Sequence, residues 1–318
     1  MHESQHLEAR PEGRAMSLIV GNLRRLGAKL VNGSGRALSR IQALPAAWRF
    51  RDRLIVRPLP ADARIPEGQR ITVLSVNLWH DWPRHRRLPA RLEALAQLIE
   101  REGADIILLQ EVMRTPKFAS DVWLADRLGM AYAYARANGH ESAIGFEEGE
   151  AVFSRFPLIE ARHWTLPPTT GPFSRRVALG AQLQLPCCRL WAFSTHLSML
   201  SGQNAQQLNH LRAWVNDLGG EGGSLIGGDF NAQEATARMR TMGTTWVDTF
   251  RSLHPERKGA THSLRWPWGG QFRHKRLDYL FLRTDVRAWQ VTEARHLAWE
   301  GLPASDHQPV LTRLIPGS

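Results

Sequence analysis

Cysteine is nearly absent. The 318 residues contain two, Cys187 and Cys188, side by side. Adjacent cysteines close no useful loop, so a disulfide framework is excluded and a reducing compartment is expected. Both thiols are expected inside a strand. Long apolar runs are missing too. No stretch is long enough to span a bilayer. Gly21, Arg24 and Arg25 interrupt the apolar core that a secretory signal requires. The expectation is a cytoplasmic protein, peripheral to the membrane at most. No internal repeat is visible. Acidic residues are in deficit, 30 against 41 Lys and Arg, for a net charge of +11. That excess is uneven. Residues 16–57 carry nine basic side chains and one acid, Asp52. A nucleic-acid enzyme more often spreads its excess over a binding face.

What is present is enough for one large domain with an appendage, since 43% of the chain is hydrophobic. Residues 1–69 read as a basic extension and linker. Within it Ile19, Leu23, Leu26 and Leu30 share one helical face, with Arg24, Arg25 and Lys29 alongside, which predicts an amphipathic helix over 17–31. Three readings stay open for it: contact of residues 16–57 with an anionic membrane surface, docking on the body, and a disordered tail. Pro58, Pro60, Pro66 and Gly68 mark the linker.

The body, 70–318, opens on a β-branched run at 71–76. A helix follows, from the stripe Leu88, Leu92, Leu95 and Ile99, ending near Gly103, and then a buried strand at 104–109. Later strands are expected at 151–153, 177–185, 189–194, 225–227, 277–282 and 310–314, with a helix at 203–218. Val177, Leu179, Ala181, Leu183 and Leu185 alternate strictly, which predicts one wetter face. Strands and helices in this mixture suggest a layered α/β domain.

Short polar motifs sit at the ends of the apolar runs: Ser75-Val76-Asn77, Leu109-Gln110-Glu111, Ser194-Thr195-His196, Gly228-Asp229-Phe230-Asn231, Arg276-Leu277-Asp278-Tyr279 and Ser305-Asp306-His307. Hard oxygen ligands plus histidines that carry or relay charge are what a hydrolytic metal site needs. Asp229 and Asn231, two apart in extended chain, point the same way. Gly227 and Gly228 before them allow close backbone approach. On residue type alone, Glu111 caps a turn or holds a cation, and Asn77 is a turn residue or a ligand.

In this order the motifs resemble the endonuclease/exonuclease/phosphatase superfamily of Mg2+-dependent phosphoesterases. It includes exonuclease III-like and pancreatic-type nucleases, neutral sphingomyelinases, inositol polyphosphate 5-phosphatases and deadenylases. The resemblance covers roughly residues 70 to 315. It implies an α/β (α+β) four-layer sandwich, two packed mixed β-sheets flanked by helices. It implies Mg2+, with Mn2+ as the alternative, held by Glu111 with Asn77 and Asp306 nearby. It implies that Asp229 orients or deprotonates the attacking water, that Asn231 holds the phosphate, and that Asp278 orients His307 against it. His196, in Ser-Thr-His-Leu, resembles the histidine of the lipid, inositol and deadenylase branches, where exonuclease III-type members usually carry asparagine.

Related enzymes often place a basic residue just before the alternating strand. Arg175 and Arg176 both qualify, but neighbours in a strand point oppositely, so one of the two faces the site. Two loops, 79–87 and 265–276, add a basic and aromatic rim. Its Trp side chains suit stacked bases, a lipid interface or packing over the loop's own base. The expected substrate is a phosphoester of a phospholipid headgroup or small phosphorylated molecule. The alternative is nucleic acid.

Overall fold

A computed structural model describes residues 52–81, 83–169, 174–219, 222–265, 271–283 and 289–317. The helix expected over 17–31 lies outside these residues, as do Trp82, Trp266 and Trp268.

The first half of the described chain runs β1 (Leu54–Arg57), β2 (Ile71–Asn77), α1 (Leu88–Glu102), β3 (Ile106–Thr115), β4 (Phe118–Ala119), α2 (Ser120–Leu128), β5 (Ala131–His140), α3 (Glu141–Ile144) and β6 (Phe146–Ser154). The second half runs β7 (Leu158–Leu166), β8 (Arg176–Gln184), β9 (Arg189–His196), α4 (Ser201–Leu218), β10 (Ser224–Asp229), α5 (Ala237–Arg240), β11 (Trp246–Asp248), α6 (Thr249–Leu253), β12 (His262–Arg265), β13 (Gln271–Lys275), β14 (Asp278–Arg283), β15 (Trp289–His296) and β16 (Val310–Pro316).

One sheet orders its strands β1-β5-β6-β3-β2-β16-β15, with β4 paired to β3, and the other β11-β14-β10-β9-β8-β7. Each sheet is mixed. A parallel pair, β2 with β3 and β9 with β10, sits among antiparallel neighbours. The inner faces meet in one apolar layer, where Val73, Ile106 and Leu108 of the first sheet pack with Leu179, Ala192, Leu225 and Leu280 of the second. Outside the first sheet, Leu92, Leu95 and Ile99 of α1 and Leu124 of α2 cover Leu74, Leu109 and Tyr134. Outside the second, Leu208, Leu211 and Val215 of α4 cover Phe193 and Ile226. The fold is therefore mixed α/β, two multi-stranded sheets flanked by helices.

Local sequence explains the outer layers. A proline in the first turn favours the start of α1, and Gly103 ends it with φ 62°, a left-handed cap that costs glycine nothing. The apolar spacing of α1 then turns one stripe onto the sheet.

Several expectations change. The body begins upstream of residue 70, because Leu54–Arg57 pairs with Tyr132–Ala135 as an edge strand. The β8 face expected to be wetter is dry at its centre. Ala178 and Gly180 are small enough to receive the Phe193 ring, and a Cβ at Gly180 would meet that ring at 2.5 Å. Only the far end of this face, Gln184, is exposed. The cysteines are not in a strand interior. They sit in the turn between β8 and β9, Cys187 exposed and Cys188 half-buried, with their sulfurs 3.3 Å apart and not joined in a disulfide.

Candidate active site

Register assembles the site. On the second sheet Asp229 at the end of β10 pairs with His196 of β9 on one side and with Asp278 of β14 on the other. Three chemistry-bearing residues thus stand in one row. On the first sheet Asn77 ends β2 beside Gln110 of β3. Gly228 precedes the row with φ 155°, and a Cβ there would meet the Thr195 carbonyl oxygen at 1.9 Å, so only glycine fits.

Glu111 does not follow a strand, as the sequence suggested, but interrupts one. β3 continues to Thr115, and its pairing with β6 shifts between Leu109 and Val112. The residue inserted there is a bulge, which redirects side chains out of the regular alternation. Glu111 takes φ 55° at this point, and Asn231 takes φ 47°. Left-handed backbone at non-glycine residues is strained and concentrates where surrounding contacts hold a side chain in a required direction.

Asn77 joins the two sheets. Its amide donates to Glu111 Oε1 at 3.1 Å and to Asp229 Oδ2 at 3.2 Å, while its oxygen accepts from the Trp79 backbone at 2.9 Å. Asp229 Oδ1 accepts from the Asn231 backbone at 2.9 Å. His307 Nδ1 lies 2.8 Å from Asp278 Oδ2, and its Nε2 lies 3.9 Å from Asp229 Oδ2. The Thr261 hydroxyl donates to Asp278 at 2.6 Å, and the Ser305 hydroxyl ties the His307 loop to the Asn77 carbonyl at 2.5 Å. The result is a buried acid–imidazole–acid chain, Asp278–His307–Asp229.

The environments push these groups apart. Burial alone would lower His307, but the carboxylates of Asp278, Asp229 and Asp306 outweigh it and lift the imidazole to about 10. Burial, reinforced by Asp278, raises Asp229 to about 7. His196 goes the other way. Burial and the Arg176 guanidinium hold it well below its usual value, so it is neutral. A neutral ring can accept at one nitrogen, and Asn231 Nδ2 stands 3.0 Å from His196 Nε2. Glu111 is raised by burial and by the neighbouring Glu148.

Asn77, Glu111, Arg176, His196, Asp229, Asn231 and His307 line one cleft of about 590 Å³, with Asp278 directly behind His307. Two expected members stand elsewhere. Arg175 is buried away from the cleft. Its guanidinium is held by Asp52, the Thr165 hydroxyl and the Arg136 carbonyl, which leaves Arg176 as the arginine at the site. Asp306 does not join Glu111. It lies 3.8 Å from His262 and lines an adjoining cleft with Trp79 and Trp299. The chain bends at Asp306, where the Ser305 hydroxyl accepts from the His307 backbone at 3.0 Å, so His307 and its neighbour line different clefts. Trp79 packs between its own loop and α1, under the guanidinium groups of Arg91 of α1 at 4.9 Å and Arg86 of the loop at 5.8 Å.

The sequence reading missed His80, Glu148, Phe146, Met199, His262 and Lys275, all of which line the central cleft. His80 and Lys275 fall inside the two rim loops. Glu148 carried a usable signal, three acids around Gly149 at the start of an apolar strand. Among the described residues, three groups could hold a cation: His80 with Glu111 and Glu148, Asp229 with Asp278 and His307, and His262 with Asp306 and His307.

A model of the endonuclease/exonuclease/phosphatase family matches residues 74–307. The chain belongs to this family. Among solved structures, a family member from Leptotrichia buccalis aligns with TM-score 0.63 at 18% identity, over 77% of this chain and 99% of that one. D. rerio TDP2, complexed with a single strand DNA product, gives 0.61 at 18% identity, over 78% and 99%. The mannosyl-6-phosphatase of Bacteroides thetaiotaomicron gives 0.58 at 18%, over 77% and 99%. At such identities the likeness is one of fold. No curated protein sequence matches at a significant level. Family membership and the acidic clusters together establish a phosphoesterase- or nuclease-type fold with candidate metal-binding groups.

Proposed function

We propose that this chain is a Mg2+-dependent phosphoric ester hydrolase. Its substrate is a phospholipid headgroup or a small phosphorylated molecule, cleaved by in-line attack of water. The observation that carries this reading is the buried chain Asp278–His307–Asp229 opening onto the cleft that also holds Glu111 and Asn77. The donor set fits a hard cation. Glu111 offers a carboxylate whose charge is disfavoured by burial and by Glu148, a situation that a divalent ion relieves. Glu111 would hold Mg2+ with Asn77 beside it, and the ion when bound neutralises phosphate oxygens and acidifies water.

The chain's own residues supply the rest. Asp229, raised to about 7, is matched to accept the proton of the attacking water near neutral pH. His307 is cationic and presents Nε2 towards the reacting phosphate, while Asp278 fixes its tautomer through Nδ1. Asn231, whose amide donates to His196 Nε2 and to the Leu197 carbonyl, fixes the neutral His196 ring so that its Nδ1–H is the donor left for a phosphoryl oxygen, and Arg176 adds fixed positive charge on the same wall. Met199 and Leu200, 75% and 62% exposed, make an apolar lip beside the cleft. That lip favours a phosphoester with an apolar portion over a purely polar one.

A second reading, nucleic acid as substrate, is favoured by exposed Arg84 and Arg87 on the loop that borders the cleft, and by the DNA-bound state of D. rerio TDP2. The experiment is an Mg2+-dependent activity panel on purified protein with phospholipids, small phosphomonoesters and phosphodiesters, plasmid DNA and single-stranded RNA. Glu111→Gln serves as the control for contaminants. Hydrolysis of lipid or small phosphoesters, lost in the control, supports the first reading. Cleavage restricted to nucleic acid replaces it with the second. No cleavage of any phosphoester rejects both.

A further inference from the structure

The reaction above leaves two side chains of the cleft, His80 and Glu148, unused beside Glu111. His80 Nε2 stands 3.4 Å from Glu111 Oε2 and 3.2 Å from Glu148 Oε2. The ligand atoms of all three lie within 4.8 Å of one another. Glu111 turns its other oxygen, Oε1, to the Asn77 amide at 3.1 Å. Its two oxygens therefore serve different sides, one towards Asp229 through Asn77 and one towards His80.

Each donor comes from a different element and is fixed from behind. Glu111 is aimed by the β3 bulge. Glu148, on β6, has its Oε1 held by the Asn138 amide at 2.9 Å, which leaves Oε2 for His80. His80 is flanked by two left-handed residues, Trp79 at φ 50° and Asp81 at φ 48°. Such positions are strained and persist only when neighbours over-determine them. Here the buried Arg91 guanidinium donates to the carbonyls of Leu78 and Trp79, and Arg86 forks onto Asp81 at 2.8 and 3.2 Å. The His80 backbone donates to Glu111 Oε2 at 3.1 Å, and its ring rests on Phe146 with centroids 5.1 Å apart. The imidazole is in position before any ligand arrives.

Two carboxylates separated by one imidazole carry more negative charge than that ring can balance. A nitrogen and two carboxylate oxygens converging from rigid supports form a mixed donor set. Mg2+ prefers oxygens alone, whereas a nitrogen donor favours later divalent ions. We propose that His80, Glu148 and Glu111 Oε2 form a divalent-cation site with an imidazole ligand, one that takes Mn2+ in preference to Mg2+. The site deepens the metal-dependent reading above, with which it shares Glu111.

The test is Mn2+ titration of the metal-free full-length protein, followed by electron spin echo measurements for coupling between Mn2+ and an imidazole nitrogen. The wild type is expected to show that coupling, with Mg2+ competing only weakly. His80→Ala should abolish it. Both His80→Ala and Glu148→Gln should weaken Mn2+ binding by at least about tenfold, with thermal melts confirming that each variant folds. His262→Ala, which removes another histidine of the same cleft, should leave the coupling intact. Absence of nitrogen coupling in the wild type overturns the proposal without any variant. So does coupling that survives His80→Ala or disappears in His262→Ala, or Mn2+ affinity unchanged in both His80→Ala and Glu148→Gln. The two readings fail separately. Nitrogen coupling in a protein that hydrolyses no phosphoester keeps this site and sinks the function. Hydrolysis without coupling does the reverse.

Discussion

His307 shows how three carboxylates reverse the effect of burial on one imidazole. Replacing Asp278 by Asn removes its strongest neighbour, so the His307 titration, followed by NMR in metal-free protein, should move down from about 10 towards 6.5. An unmoved titration would mean that Asp278 does not hold the ring. Asp229→Asn and His307→Ala should each reduce kcat by about 10²–10⁴-fold with folding intact, the usual weight of a proton-transfer group. Near-normal turnover in either would remove that residue from the mechanism. His296 makes a separate prediction about stability. Packed on Phe250 with ring centroids 4.0 Å apart, it is pushed down to about 3 by burial and by nearby arginines, first Arg276. The unfolded chain takes up that proton near 6.5, whereas the folded chain resists until about 3. Between those values the unfolded state binds more protons, so stability falls as pH falls. The slope from this residue reaches about 1.4 kcal/mol per pH unit. His296→Phe should flatten the acid limb of urea-melt stability relative to wild type, and an identical slope would refute the assignment.

At the scale of elements, β1 explains an otherwise costly burial. Arg175 is 4% exposed, and its carboxylate partner is Asp52, just before β1. Arg53 likewise reaches the fully buried Glu147 at 3.0 Å. Removing residues 1–51 should leave the fold stable. Removing 1–69 strips the edge strand and leaves Arg175 without its carboxylate, which should cost about 1–3 kcal/mol in chemical denaturation. Equal stability of the two truncations would show that β1 contributes nothing. The elements also show where pattern reading works and where it stops. Leu88, Leu92, Leu95, Ile99 and the Gly103 cap made α1 legible, because helical spacing and cap chemistry are local. β5 was missed, since Ala-Tyr-Ala-Tyr-Ala is a strand only by virtue of pairing with β6 and β1. The bulge at Glu111 was equally invisible, because a bulge exists only relative to a partner strand.

For the molecule as a whole, the separation of charge matters most. The basic excess gathers in residues 16–57, while the cleft that holds Glu111 and His307 is ringed by both signs. Among the described residues no helix is long and apolar enough to cross a membrane. We propose that the basic segment binds an anionic membrane surface. Deleting residues 1–51 should then weaken binding to phosphatidylserine vesicles while sparing hydrolysis of a soluble phosphodiester. Unchanged vesicle binding would reject this role. Salt provides an independent check on substrate class. Cleavage of nucleic acid through several phosphate contacts should weaken steeply as salt rises, whereas a small phosphoester should respond weakly.

The sequence by itself determined the family, the mixed α/β architecture and part of the polar set that meets in the cleft, Asn77, Glu111, Arg176, His196, Asp229, Asn231 and His307. Short motifs at the ends of apolar runs encode these things locally. Tertiary structure alone decided which of those residues face one another. It sent Arg176 to the cleft and Arg175 inward to Asp52. It set Asp306 beside His262 in an adjoining cleft, and it brought His80 and Glu148 to Glu111. The physical reason is directional. Adjacent residues of extended chain point to opposite sides, and one bulge or one left-handed residue reverses which side that is. Such reversals are set by strand partners far away in the chain, so no local pattern records them.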